Sequence, residues 1–70
     1  MRKHSVVVAG HATSISLEDE FWEELKAIAM QRNIKLNDLI SEIDDNRQTN
    51  LSSALRLYIL NHLKSEHVQE

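Results

Sequence analysis

Between residues 13 and 29, TSISLEDEFWEELKAIA, a two-residue hydrophobic period turns into a helical one with no loop in between. Thr13, Ile15 and Leu17 alternate with Ala12, Ser14 and Ser16, the pattern of a half-buried strand. From Phe21 onward the apolar residues fall at Phe21, Leu25, Ile28 and Ala29, the i, i+4, i+7, i+8 spacing of one helix face. Ser16 and Asp19 stand at capping-box spacing, so the hydroxyl can accept from an orphan backbone N–H while the carboxylate reaches back. One short strand followed by helices cannot complete a sheet within one chain. Its unpaired edge needs a partner, and the simplest is the same strand of a second copy.

Size points the same way. Seventy residues make one domain, spanning 1–70, near the length at which a monomeric core is marginal and a dimer interface is a common remedy. There is no Cys, which excludes disulfides and thiolate-ligated metal. No apolar run approaches the roughly 20 residues that span a membrane, and Val6-Val7-Val8-Ala9 is too short for a secretory core. The expectation is a cytoplasmic, mainly α protein with no membrane partner.

Four elements follow from the pattern. An extended N-terminal arm (1–10) leads into the strand (11–17). An unbroken alternation through Gly10 would put Val6 and Val8 on the face of Ser14 and Ser16; either those valines meet another element or Gly10 marks a bulge that resets the parity. A first helix covers 18–32, with Asn33 suited to a left-handed residue at its end. A short helix covers 36–45, with Leu36, Leu39, Ile40 and Ile43 on one face, and a polar loop follows. The last helix, 50–64, opens on Asn50 as N-cap and carries Leu51, Ala54, Leu55, Leu57, Tyr58, Ile59, Leu60 and Leu63. A helix apolar around most of its circumference must be buried on more than one side, which places it at the centre of a dimer.

Strand, capped helix and then a buried helix with a serine-rich start resembles the ribbon-helix-helix family, the Arc and MetJ group of β-ribbon DNA readers. Residues 12–17 match the ribbon, residues 21–29 the first helix and residues 50–55 the start of the second family helix. The string HSVVVAGH running into TSISLEDEFW is similar to a branch of small bacterial members. The resemblance implies a homodimer with an intermolecular two-stranded antiparallel sheet and, here, an extra short helix. The family joins its two helices by a short turn, whereas about sixteen residues, 34–49, intervene in this chain. The other alignment makes 36–45 the second family helix; there Lys35, a poor cap, would stand where Asn50 stands in the first.

By position, the resemblance implies that Ala12, Ser14 and Ser16 face the major groove while Thr13, Ile15 and Leu17 face the core. Arg and Lys to guanine, and Asn and Gln to adenine, are the strong bidentate readers, so a ribbon of Ala, Ser and Ser discriminates weakly. Basic contact falls to Arg2 and Lys3 on the arm, with His4 behind them, and phosphate binding to Asn50, Ser52 and Ser53 at the last helix's start. The plainer alternative is that Asn50 caps the helix and the serines finish its first turn.

Two function classes stay open. The first is a DNA-binding transcriptional regulator. The second is a protein-interaction module, antitoxin-like, favoured by the net charge of −3, the missing bidentate reader and the acidic segment around Asp38, Glu42, Asp44 and Asp45. The earlier acids Glu18, Asp19, Glu20, Glu23 and Glu24 read plainly as first-turn complements to the helix dipole. His62 and His67 miss the i, i+4 ligand spacing, and His11 reads as a packed or interface histidine. Phe21 and Trp22 read as packing residues. No nucleophile constellation or phosphate loop is present, so no enzyme activity, cofactor or metal is expected.

Overall fold

The computed structural model describes residues 1–67, with side chains through residue 65, so residues 68–70 of the expected domain and the His67 side chain lie outside the described residues. The order is β1 (Arg2–Val8), β2 (His11–Leu17), α1 (Asp19–Gln31), α2 (Leu36–Asp45) and α3 (Leu51–His67).

The first ten residues are not a bare arm, which corrects the expectation of a lone strand. β1 pairs antiparallel with β2 from Arg2↔Leu17 to Val8↔His11, so the two-stranded sheet forms within one chain. The connection is the pair Ala9-Gly10, both at positive φ (53° and 81°), as in the two-residue turns whose twist matches paired strands. Glycine adopts that backbone freely, whereas Ala9 gives up about 1–2 kcal/mol to do so. Chain reversal, rather than a bulge, resets the parity. Val6 and Val8 come to the face of Ile15 and Leu17, and all four are buried.

The helix ends are set by local chemistry. Ser16 remains in the ladder and does not cap α1, against the capping-box expectation. Glu18 is the N-cap with no side-chain cap bond, and Asp19 and Glu20 occupy the dipole-favoured first turn. At the other end Asn33 is left-handed (φ 58°). Its N–H donates to the Met30 carbonyl while that of Ile34 donates to Ala29, the paired bonds of a Schellman stop. α2 starts at Lys35 without a side-chain cap. α3 starts as its sequence suggests, with Asn50 Oδ1 accepting from the Ser53 N–H at 2.9 Å.

The helices pack over the sheet's inner face. Leu25, Ile28 and Ala29 of α1, Leu39, Ile40 and Ile43 of α2, and Ala54, Leu55 and Ile59 of α3 complete the core. Phe21 and Trp22 are half-buried against it. Trp22 also stacks on His4, ring centroids 3.8 Å apart and planes 6° from parallel. His4 Nε2 is buried there without a hydrogen-bond partner. On the other side of α3, Leu57 (54%) and Leu60 (48%) are exposed, so one chain covers only part of this helix.

Candidate nucleic-acid interface

Alternation along the hairpin divides its side chains cleanly. The outer face presents three cross-strand pairs, Lys3 with Ser16, Ser5 with Ser14 and Val7 with Ala12. All are exposed except Ser16, which is half-buried. The face is therefore small and nearly uncharged, with Lys3 at one end and a methyl-bearing pair beside the turn.

The candidate residues do not all gather there. Lys3, Ala12, Ser14 and Ser16 share the outer face. Arg2 lies on the opposite face, and its Nε is 3.3 Å from Asp19 Oδ1. Asn50, Ser52 and Ser53 lie at the start of α3, against the far edge of β2, where the Ser52 hydroxyl donates to the Ser16 carbonyl at 2.9 Å. That bond ties the ribbon strand to α3. Arg47 stands in the same corner: its Nε donates to Asp44 Oδ1 (2.6 Å) and its Nη1 to the Thr49 carbonyl (2.7 Å). His11, expected to be packed or at an interface, is exposed in the single chain and borders this groove.

By themselves Ser5 and Arg47 carry no signal in the sequence for a place at this site, and Val7 reads there only as part of an extended Val6-Val7-Val8 edge able to join a partner's sheet. Ser5 and Val7 reach the outer face only because β1 is a strand, and the signal was the two-residue spacing between the valine run and His11. Nothing local in the sequence marks Arg47, whose place depends on how α2 hands over to α3.

The two edges of the sheet differ. In a hairpin closed by two residues, the N–H and C=O groups of Ala12, Ser14 and Ser16 point away from β1, and those of Lys3, Ser5 and Val7 point away from β2. α2 meets the β1 edge: the Val7 N–H donates to Asn37 Oδ1 at 3.5 Å and the Ala9 N–H, at the turn, to Ser41 Oγ at 3.4 Å. On the β2 edge only the Ser16 carbonyl is covered; among the described residues no hydrogen bond reaches the outward groups of Ala12 and Ser14.

Most of the positive charge is spent inside the fold. Among the described residues, five of the eight Lys and Arg side chains pair with carboxylates: Arg2–Asp19, Lys26–Glu23, Arg32–Glu42, Arg47–Asp44 and Arg56–Glu18. The hydrogen bonds from Arg56 hold the Glu18 carboxyl below the usual carboxylate range, and Arg32 does the same for Glu42. Arg32 also donates to the Tyr58 hydroxyl at 3.3 Å, joining the end of α1 to α2 and α3. Among the described residues Lys3 is the one cation on the outer sheet face, no group of three His, Cys, Asp or Glu could hold a metal ion, and no helix is long and apolar enough to cross a membrane.

Comparison with known proteins adds one finding. A family model described as a ribbon-helix-helix domain matches residues 1–63. No curated protein and no solved structure matches the chain.

Proposed function

This chain belongs to the ribbon-helix-helix family, whose members in general bind DNA as transcription regulators or serve as antitoxins, and from that premise we propose that it is a cytoplasmic DNA-binding transcriptional regulator acting as a homodimer. The observation that carries this reading is the outer hairpin face: Ala12 and Ser14 are exposed there with the half-buried Ser16, beside Lys3, and the start of α3 lies against the same strand. A β-ribbon of that kind fits the major groove. In this reading the serines make weakly discriminating contacts and Lys3 supplies charge. The Leu51 and Ser52 amides at the start of α3 would face a phosphate, while the Ser53 amide is taken by Asn50, which holds that turn in place. Arg2, held to Asp19 on the other face, contributes less than Lys3.

The dimer is proposed to form by pairing the open β2 edges antiparallel, with the exposed Leu57 and Leu60 of each α3 covered by the partner. In this alignment α3 is the second family helix. Its support is the Ser52–Ser16 bond, which fixes the start of α3 to the ribbon strand, whereas α2 lies along β1. The test is fluorescence anisotropy of the protein against pooled genomic fragments, including the region upstream of its own gene, at low and near-physiological salt. The expected result is fragment-selective binding that survives the higher salt and weakens in Ser14→Ala/Ser16→Ala. Equal, salt-sensitive binding to all fragments would sink this reading.

One observation favours a protein-binding module instead. With five of eight cations paired to carboxylates among the described residues and a net charge of −3, little charge is left for phosphates. Recovery of one stoichiometric protein partner, together with no selective DNA binding, would establish that alternative.

A further inference from the structure

The family's reading unit is a ribbon of two strands, one from each subunit, whereas this chain brings two strands of its own. If the β2 edges pair across the two-fold axis, the sheet has the order β1-β2-β2-β1. Strands lie about 4.8 Å apart, so the β2 axes run about 2.4 Å from the two-fold and the β1 axes about 7 Å from it. The major groove is about 12 Å wide and admits two strands, leaving about 6 Å on each side of its midline. β1 therefore falls outside the opening. α2 stands along the outer side of β1, with Asn37 facing its Val7 N–H and Ser41 the Ala9 N–H of the turn, and adds bulk where a narrower sheet would have none.

We infer that β1 of each subunit rides over the sugar–phosphate wall, and that Lys3 is a backbone-phosphate contact rather than a base reader. The inference rests on the DNA-binding homodimer proposed above. Lys3 has the required placement: it is exposed, it points to the outer face, and it lies across from Ser16 at the strand's open end. No ion pair joins it to a carboxylate among the described residues, in contrast to the neighbouring Arg2. An ammonium is a compact point charge on a flexible stem, which suits a phosphate without demanding a fixed base geometry. Base discrimination is then confined to Ala12, Ser14 and Ser16 of the two central strands.

The experiment compares wild type, Lys3→Ala and Lys3→Arg on a selected site and on an unrelated duplex, by anisotropy across a salt series. The expected result is that Lys3→Ala loses the same factor on both duplexes, about tenfold near physiological salt. The slope of log affinity against log salt should fall by about 2, because two subunits each release a counterion. Lys3→Arg should restore the slope. A loss confined to the selected site, with the slope unchanged, would make Lys3 a base reader and overturn the inference while leaving DNA binding intact. No change in affinity or slope on Lys3→Ala would overturn it too. Failure of the wild type to bind any duplex would remove the DNA-binding reading and this inference with it.

Discussion

The two edges of the hairpin start from the same problem and meet different solutions. Each strand turns a row of backbone donors and acceptors away from its neighbour, and such a row is a template for another chain. Near the turn on β1, Asn37 of α2 offers its side-chain oxygen to the Val7 N–H, and Ser41, one helical turn further on, offers its hydroxyl oxygen to the Ala9 N–H of the turn. α2 thus lies along this end of the row, while no hydrogen bond among the described residues reaches the outward groups of Lys3 and Ser5. On β2 the row is left open at Ala12 and Ser14. A sheet with two open edges can add copies without end, whereas one with a single open edge can close as a symmetric pair. In the proposed alignment, β1 and α2 are the two elements beyond strand–helix–helix. They touch each other, so the added strand arrives together with a helix that packs along its edge beside the turn.

That contrast can be broken from either side. The largest effect is expected from Ile40→Ala, which removes a fully buried side chain of α2 and should cost about 2–5 kcal/mol, read by chemical denaturation. In a chain this small the variant should be substantially unfolded near 37 °C. Ser14→Pro acts on the other edge. Its outward N–H makes no bond to β1, so the hairpin tolerates the loss while a facing strand loses a donor and meets the ring. Self-association should weaken about a hundredfold, close to 3 kcal/mol, by sedimentation. An unchanged dimer would show that the β2 edge is not the interface.

The guard itself should be worth less. Asn37→Ala/Ser41→Ala removes two long hydrogen bonds at exposed positions and is expected to cost about 1 kcal/mol. The sharper readout is amide exchange: Val7 and Ala9 should exchange faster while Thr13 and Ile15 keep their protection. Assemblies larger than a dimer in this variant would show that α2 limits growth.

The smallest effect concerns the ion pairs that join the elements around this sheet. Glu18 and Glu42 titrate lower in the fold than the ordinary value of about 4.3, because Arg56 and Arg32 bond their ionised forms. Their contribution is therefore complete above that value and is lost as pH falls through the lower folded values. Denaturation midpoints followed between pH 7 and pH 2 should fall less steeply at the acid end in Glu18→Gln/Glu42→Gln. Both pairs are partly exposed, so the difference at neutral pH should be slight and reduced further by salt.

How much of this was legible in the sequence depends on the range of the interaction that decides it. α2 spans the expected residues because Leu36, Leu39, Ile40 and Ile43 carry a helical period by themselves. Asn33 and Asn50 behave as their chemistry suggests, one left-handed, the other capping. The outward set Ala12, Ser14 and Ser16 was readable from alternation within one strand. The hairpin was not, because Ala9 is a poor left-handed residue and hid the turn that Gly10 alone only hinted at. Without the turn there is no register, and without register Ser5 and Val7 have no face. The capping box at Ser16 and Asp19 failed for a related reason: β2 keeps Ser16 extended through Leu17, and α3 claims its carbonyl.

The stack between His4 and Trp22 has a practical consequence. Trp22 is the one tryptophan of the chain, and the ring lying on it belongs to β1. Its emission is thus a built-in optical gauge of whether the first strand is seated on α1. Rapid-mixing fluorescence can time the departure and return of that strand without an added dye, separately from the helical signal in circular dichroism.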